Sequence, residues 1–187
     1  MKRRGQTDFF EKQQRDFAPG RLQHGGDGAL GKRKLKRPLD PRKPLHLVLR
    51  SEKARGRLSL LAAVHRLKVK ACIEKAARAN GVTLHRVANV GTHLHLLLSF
   101  ASREGFKAFL RTITGLIARL VTKARRGQGF GRFWDALAFT RVVAGGRRAF
   151  QIVAVYVEAN EIEAAYGRRA REDFLRQHTH LWRRQPG

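Results

Sequence analysis

VTLHRVAN at residues 82–89 and HLHLLLSF at residues 93–100 are two β-rich runs separated only by Val90, Gly91 and Thr92, a spacing that predicts a hairpin. In the second run Leu94, Leu96, Leu98 and Phe100 alternate with His93 and His95. Side chains two apart on a strand share a face, so one face of this strand is apolar core and the other carries two imidazoles.

The flanking sequence supplies the rest of the sheet. LHLVLR at 45–50 reads as a strand, and residues 58–79 read as a helix with Leu60, Val64, Leu67 and Ala71 on its apolar side, ended by Asn80-Gly81. After the hairpin, Phe106, Phe109, Leu110, Ile113, Ile117 and Leu120 recur at helical spacing. GQGFG at 127–131 closes that unit, ALAFTRVV at 136–143 predicts a fourth strand, and Gly145-Gly146 lead into a helix over about 147–165. The order β-α-β-β-α-β-α predicts an α+β, ferredoxin-like (split βαβ) antiparallel sheet of four strands with helices on one face.

A chain of 187 residues has room for one domain and tails. Residues 1–43, rich in Lys and Arg and broken by Gly25, Gly26, Gly28, Pro19, Pro38 and Pro41, read as a disordered basic arm. The folded domain is expected over 44–165 and a basic, helical C-terminal tail over 166–187. Forty Lys and Arg against fourteen Asp and Glu leave a net charge of +26, more than solubility alone favours. An anionic partner follows, and nucleic acid leads. No apolar run approaches the ~20 residues that span a bilayer, and the N-terminus lacks a secretory pattern. A cytoplasmic, nucleic-acid-associated protein with no membrane partner is expected. The lone Cys72 excludes an internal disulfide framework and a cysteine zinc site.

His93 and His95 are candidate ligands for a divalent cation, because two nitrogens on a rigid strand can hold one while leaving positions open to substrate. The same spacing recurs at His178 and His180, in a polar segment with no alternation to preorganise it. Tyr156 and Asn160 stand i, i+4 on the last helix, with Glu163 continuing the stripe. Were that helix to pack beside the histidine strand, Asn160 could supply an oxygen ligand and Tyr156 would face a phosphate. Glu163 is the alternative third ligand. A phenol, of pKa ~10, becomes a useful nucleophile beside a cation that favours its phenolate and neutralises the phosphate. Tyr166, off this stripe, is the weaker candidate. No Gly-x-Ser-x-Gly turn occurs, and Gly127, Gly129 and Gly131 are not followed by the Lys-Ser/Thr of a phosphate loop.

Taken in order, LHLVLR, NVGTHLHLLLSF, GRFWDALAFTRVV and VYVEANEIEAA resemble the single-tyrosine HUH transposase family, and within it the REP-associated tyrosine transposase branch. The resemblance covers about residues 44–165. It implies a His-hydrophobe-His metal strand, matched by His93-Leu94-His95, an attacking tyrosine, matched by Tyr156, and a third ligand one turn later, matched by Asn160. Arg132-Phe133-Trp134 resembles the branch's Arg-Phe-Trp before the fourth strand. Two positions depart from its pattern: Asn160 is followed by Glu161 instead of proline, and Val90-Gly91-Thr92 stands in place of Leu-Pro-Glu. Neither removes an expected ligand or the nucleophile.

By resemblance the chain is a transposase of the nuclease-ligase kind. It would cut and rejoin single-stranded, hairpin-forming DNA through a 5′-phosphotyrosine, with Mg²⁺ or Mn²⁺ as cofactor. Two imidazoles by themselves lean toward Mn²⁺ or Zn²⁺. Arg132, Trp134, Lys34 and Arg37 are expected DNA contacts, and the site could be built by one chain or across a homodimer. The alternative is a catalytically inactive or domesticated nucleic-acid-binding module of the same fold. A basic RNA-binding protein would explain the charge but leave the His, His, Tyr and Asn constellation to coincidence.

Overall fold

The computed structural model describes residues 22–26 and 36–181. Its elements are β1 (Gln23–His24), β2 (Leu45–Arg50), α1 (Arg66–Ala79), β3 (Val82–Asn89), β4 (His93–Phe100), α2 (Arg103–Thr122), β5 (Phe139–Val142), α3 (Gly146–Tyr166) and α4 (Arg168–Gln177), with short 3-10 turns at Gly56–Leu58 and Thr179–Leu181. The strands form one antiparallel sheet in the order β1-β5-β2-β4-β3. Without the short edge strand β1, this is the ferredoxin-like arrangement expected of a split βαβ unit.

Strand register sorts the side chains. Leu45, Leu47 and Leu49 oppose Leu98, Leu96 and Leu94 across β2 and β4. These leucines are buried with Ile73 of α1 and with Phe106, Phe109, Ile113 and Ile117 of α2 in the larger core. The other face is also covered. Ala88 of β3, Leu97 of β4 and Val143 form a second apolar cluster with Ala149, Val153, Ala154 and Val157 of α3. The expectation of helices on one face is therefore corrected: α1 and α2 cover the leucine face, and α3 lies across the histidine face. Leu97 and Ala88 on that face, with the small and β-branched residues of α3, supply the apolar area that docks the helix.

Two other boundaries differ from the sequence reading. The helix expected from residue 58 begins at Arg66, and its buried residues are Val69, Ile73, Ala76 and Ala77. Leu60 is buried from the preceding loop, where its amide bonds the carbonyl of Gly91 at 2.9 Å, while Val64 and Leu67 are exposed. The loop's hydrogen bonds to the hairpin turn override the apparent helical period. At the N-terminal side, part of the segment read as a disordered arm is folded onto the sheet. β1 pairs with β5, Leu39 is buried in the larger core, and the Arg37 guanidinium donates to the Ala138 carbonyl at 2.9 Å and to the Thr140 hydroxyl. Backbone pairing and one buried leucine hold this stretch despite its charge.

Candidate functional site

β2 and β4 are neighbouring inner strands of the sheet. Val48 lies opposite His95, Arg50 opposite His93 and His46 opposite Leu97. His46, His93 and His95 therefore all project toward α3. Sequence reading singled out His93 and His95 and missed His46, although its alternation with Leu45 and Leu47 was a usable signal.

The rings are close together. His93 and His95 have centroids 4.8 Å apart, and His46 stacks on His95 at 5.5 Å with planes 12° apart. Tyr156 of α3 meets both inner rings edge-on, at 5.6 Å from His95 and 5.8 Å from His46. The packing of Val153 and Val157 against the sheet turns the tyrosine toward these rings. Asn160, one turn on, donates its Nδ2 to the Tyr156 carbonyl at 2.7 Å, which leaves the amide oxygen as the atom free to accept or ligate.

Burial sets the protonation of the cluster. Desolvation, reinforced by the charge of Arg141, lowers His46 to about 3. Desolvation, together with His46, His93 and Arg171, holds His95 well below the usual histidine value, and His93 is lowered by burial and by Arg50. All three imidazoles are neutral near pH 7, the form that offers a lone pair. His93 Nδ1 lies 2.9 Å from the Thr92 hydroxyl, and His95 Nδ1 lies 3.3 Å from His46 Nε2. His95 Nε2 is buried with no hydrogen-bond partner among the described residues. A sheltered nitrogen without a partner beside a second imidazole suits a divalent cation. Among the described residues no three His, Cys, Asp or Glu side chains are grouped to hold one ion.

The other candidates lie elsewhere. Glu163 pairs with Arg171 of α4 at 3.2 Å. Trp134 packs against the larger core and donates its indole N–H to the Thr114 carbonyl at 3.0 Å, while Arg132 donates to the Trp134 carbonyl at 3.0 Å. Arg37 is engaged at β5, and Lys34 lies outside the described residues. Tyr166 is 79% exposed at the end of α3, away from the ring cluster. His178 spends its Nδ1 on the Phe174 carbonyl. Arg171, from the segment assigned to the tail, is a further residue that sequence reading missed; its charge reaches His95.

The chain is thus an α+β protein of the ferredoxin-like class, with a tyrosine-bearing helix laid over a histidine strand pair. No family model matches it. No curated protein matches it. Among solved structures it is similar to the REP-associated tyrosine transposase bound to a REP hairpin, with a TM-score of 0.55 and 12% identity over 73% of this chain and 76% of that one. A provisionally named transposase from Deinococcus radiodurans R1 aligns with a TM-score of 0.40 and 18% identity over 68% of this chain and 97% of that one. The first likeness establishes that this chain has the fold of a tyrosine transposase. No helix among the described residues is long and apolar enough to cross a membrane.

Proposed function

We propose that the protein is a metal-dependent DNA transposase that cuts and rejoins single-stranded, hairpin-forming DNA through Tyr156. One observation carries the reading: Tyr156 of α3 and His95 of β4 stand edge-on with centroids 5.6 Å apart, on the sheet face that also holds His93. The +26 charge and the fold shared with a hairpin-bound transposase support it.

His95 through Nε2, His93, and Asn160 through its amide oxygen would hold Mg²⁺ or Mn²⁺. Such an ion, when bound, offsets charge on the scissile phosphate and favours phenolate at the tyrosine. Burial keeps the imidazoles neutral, and α3 fixes the direction of the phenol. In the cutting step a bond forms between Tyr156 Oη and phosphorus, the phosphorus–O3′ bond breaks, and the phenolic proton ends on the departing 3′-oxygen. The phosphodiester is thereby conserved as a 5′-phosphotyrosine, and attack by a 3′-hydroxyl reverses the exchange.

The test is incubation with labelled single-stranded hairpin DNA and Mn²⁺ or Mg²⁺, followed by a denaturing gel. A covalent protein–DNA adduct is expected for the parent and none for Tyr156→Phe, with DNA binding unchanged. Salt-sensitive binding with no adduct and no metal requirement would assign the chain to a non-cutting module of the same fold.

A further inference from the structure

We infer that His46 is a positioning residue for His95: it fixes the orientation of that ring and selects Nε2 as the nitrogen offered to the ion. The inference rests on the metal-dependent reading above and adds to it a residue outside the expected ligand set.

The geometry is that of a supported ligand. His46 sits diagonal to His95 across β2 and β4, because His46 opposes Leu97 while Val48 opposes His95. The rings are nearly parallel, and His46 Nε2 lies 3.3 Å from His95 Nδ1. Both residues are buried, at 2% and 4% exposure. Between two neutral imidazoles only one of the facing nitrogens can carry the proton. If His95 Nδ1 carries it and donates to His46 Nε2, His95 Nε2 is a bare lone pair and can ligate. With the proton on His46 Nε2 instead, His95 Nε2 holds a hydrogen and cannot. A ligating imidazole commonly donates its other N–H to a fixed acceptor, and loss of that acceptor lowers metal affinity roughly 10- to 100-fold.

Packing alone does not account for a histidine here. Its surroundings are the edge of Tyr156, the edge of Phe139 and the cross-strand neighbour Arg141. A phenylalanine or leucine would fill this slot without burying a nitrogen, whereas His46 Nδ1 is buried with no hydrogen-bond partner among the described residues. Burying such an atom without a partner carries a desolvation cost. The contact with His95 is the return for that cost. While that contact holds, His46 Nε2 is engaged by His95 Nδ1 and is not available to the ion.

The experiment measures Mn²⁺ binding to the full chain without DNA, by electron paramagnetic resonance, for the parent, His46→Phe, His46→Leu and His46→Gln. The two apolar variants should bind Mn²⁺ roughly 10- to 100-fold more weakly. Glutamine, whose side-chain oxygen can accept from His95, should recover most of the affinity, and metal-free hairpin binding should be equal in all four. Equal Mn²⁺ affinity in parent and apolar variants overturns the role of His46 and leaves the transposase reading standing. Absence of Mn²⁺ binding by the parent overturns both. Nitrogen-15 NMR of the unmutated, metal-free chain tests the same point without a substitution. The expected result is His95 protonated at Nδ1 and bare at Nε2, and the opposite tautomer overturns the inference.

Discussion

Tyr156 stands edge-on to His95, with ring centroids 5.6 Å apart and planes at 83°, although one belongs to a helix and the other to a central strand. This contact uses the ring of the tyrosine, and the proposed chemistry uses only its hydroxyl. Tyr156→Phe should therefore keep the fold, changing unfolding free energy by at most about 1 kcal/mol, while adduct formation falls below detection. Urea unfolding read beside the denaturing gel separates the two effects. A variant that unfolds several kcal/mol more easily would show that the hydroxyl serves packing and not cleavage.

His95 invites the opposite comparison. Its Nε2 is buried without a partner among the described residues, which places a cost on the metal-free protein. His95→Leu removes that atom but also takes the partner from the buried His46 Nε2, so in chelator stability should change by less than about 2 kcal/mol, yet the rise in melting temperature that Mn²⁺ gives the parent should be abolished. At a hundredfold excess over the dissociation constant that rise corresponds to about 2.7 kcal/mol. Differential scanning calorimetry with and without Mn²⁺ checks both halves. Destabilisation of the variant by more than about 2 kcal/mol in chelator would mean the imidazole is chiefly a core residue.

Much of this arrangement was legible in the sequence because alternation is a local signal. Leu94, Leu96 and Leu98 assigned the core face of β4, and the hairpin bounds at Asn89 and His93 match the structure. The stripe of Tyr156 and Asn160 followed from helical spacing. What stayed hidden depended on partners distant in sequence. His46 acquires meaning only when β2 is registered against β4, and Arg171 only when α4 folds back along α3 to pair with Glu163. Likewise the apolar period of residues 60–71 is broken by Leu60 bonding to the hairpin turn, a contact no local pattern encodes.

The neutral histidines predict a pH dependence of stability. Burial, with Arg141 beside it, lowers His46 to about 3 in the folded chain from an ordinary value of 6.5. Between these values the unfolded chain binds the proton and the folded chain does not, so stability falls as pH falls below about 6.5. At about 1.4 kcal/mol per pH unit, His46 alone removes about 2 kcal/mol by pH 5. His95 and His93, lowered for the same reason, act in the same direction. Urea midpoints at pH 7.5 and pH 5 should show the loss, and His46→Phe should reduce it. An equal loss in parent and variant would remove His46 from the account.

The turn that presents His93 is the remaining point of control. Gly91 has φ +86, and a Cβ there would lie 2.9 Å from the Ser59 hydroxyl. Its amide bonds the Asn89 side-chain oxygen at 3.0 Å and its carbonyl accepts from Leu60 at 2.9 Å, so the backbone is held in that conformation from both sides. Gly91→Ala must either adopt a left-handed conformation, at about 1–2 kcal/mol, or break these bonds. The close approach to Ser59 adds to this, and a total loss of about 1–3 kcal/mol is expected in urea unfolding. Because His93 follows two residues later, the same substitution should weaken Mn²⁺ binding, whereas Gly129→Ala, in open space, should alter neither. If Gly91→Ala matches the parent in both measurements, the turn does not set the position of His93.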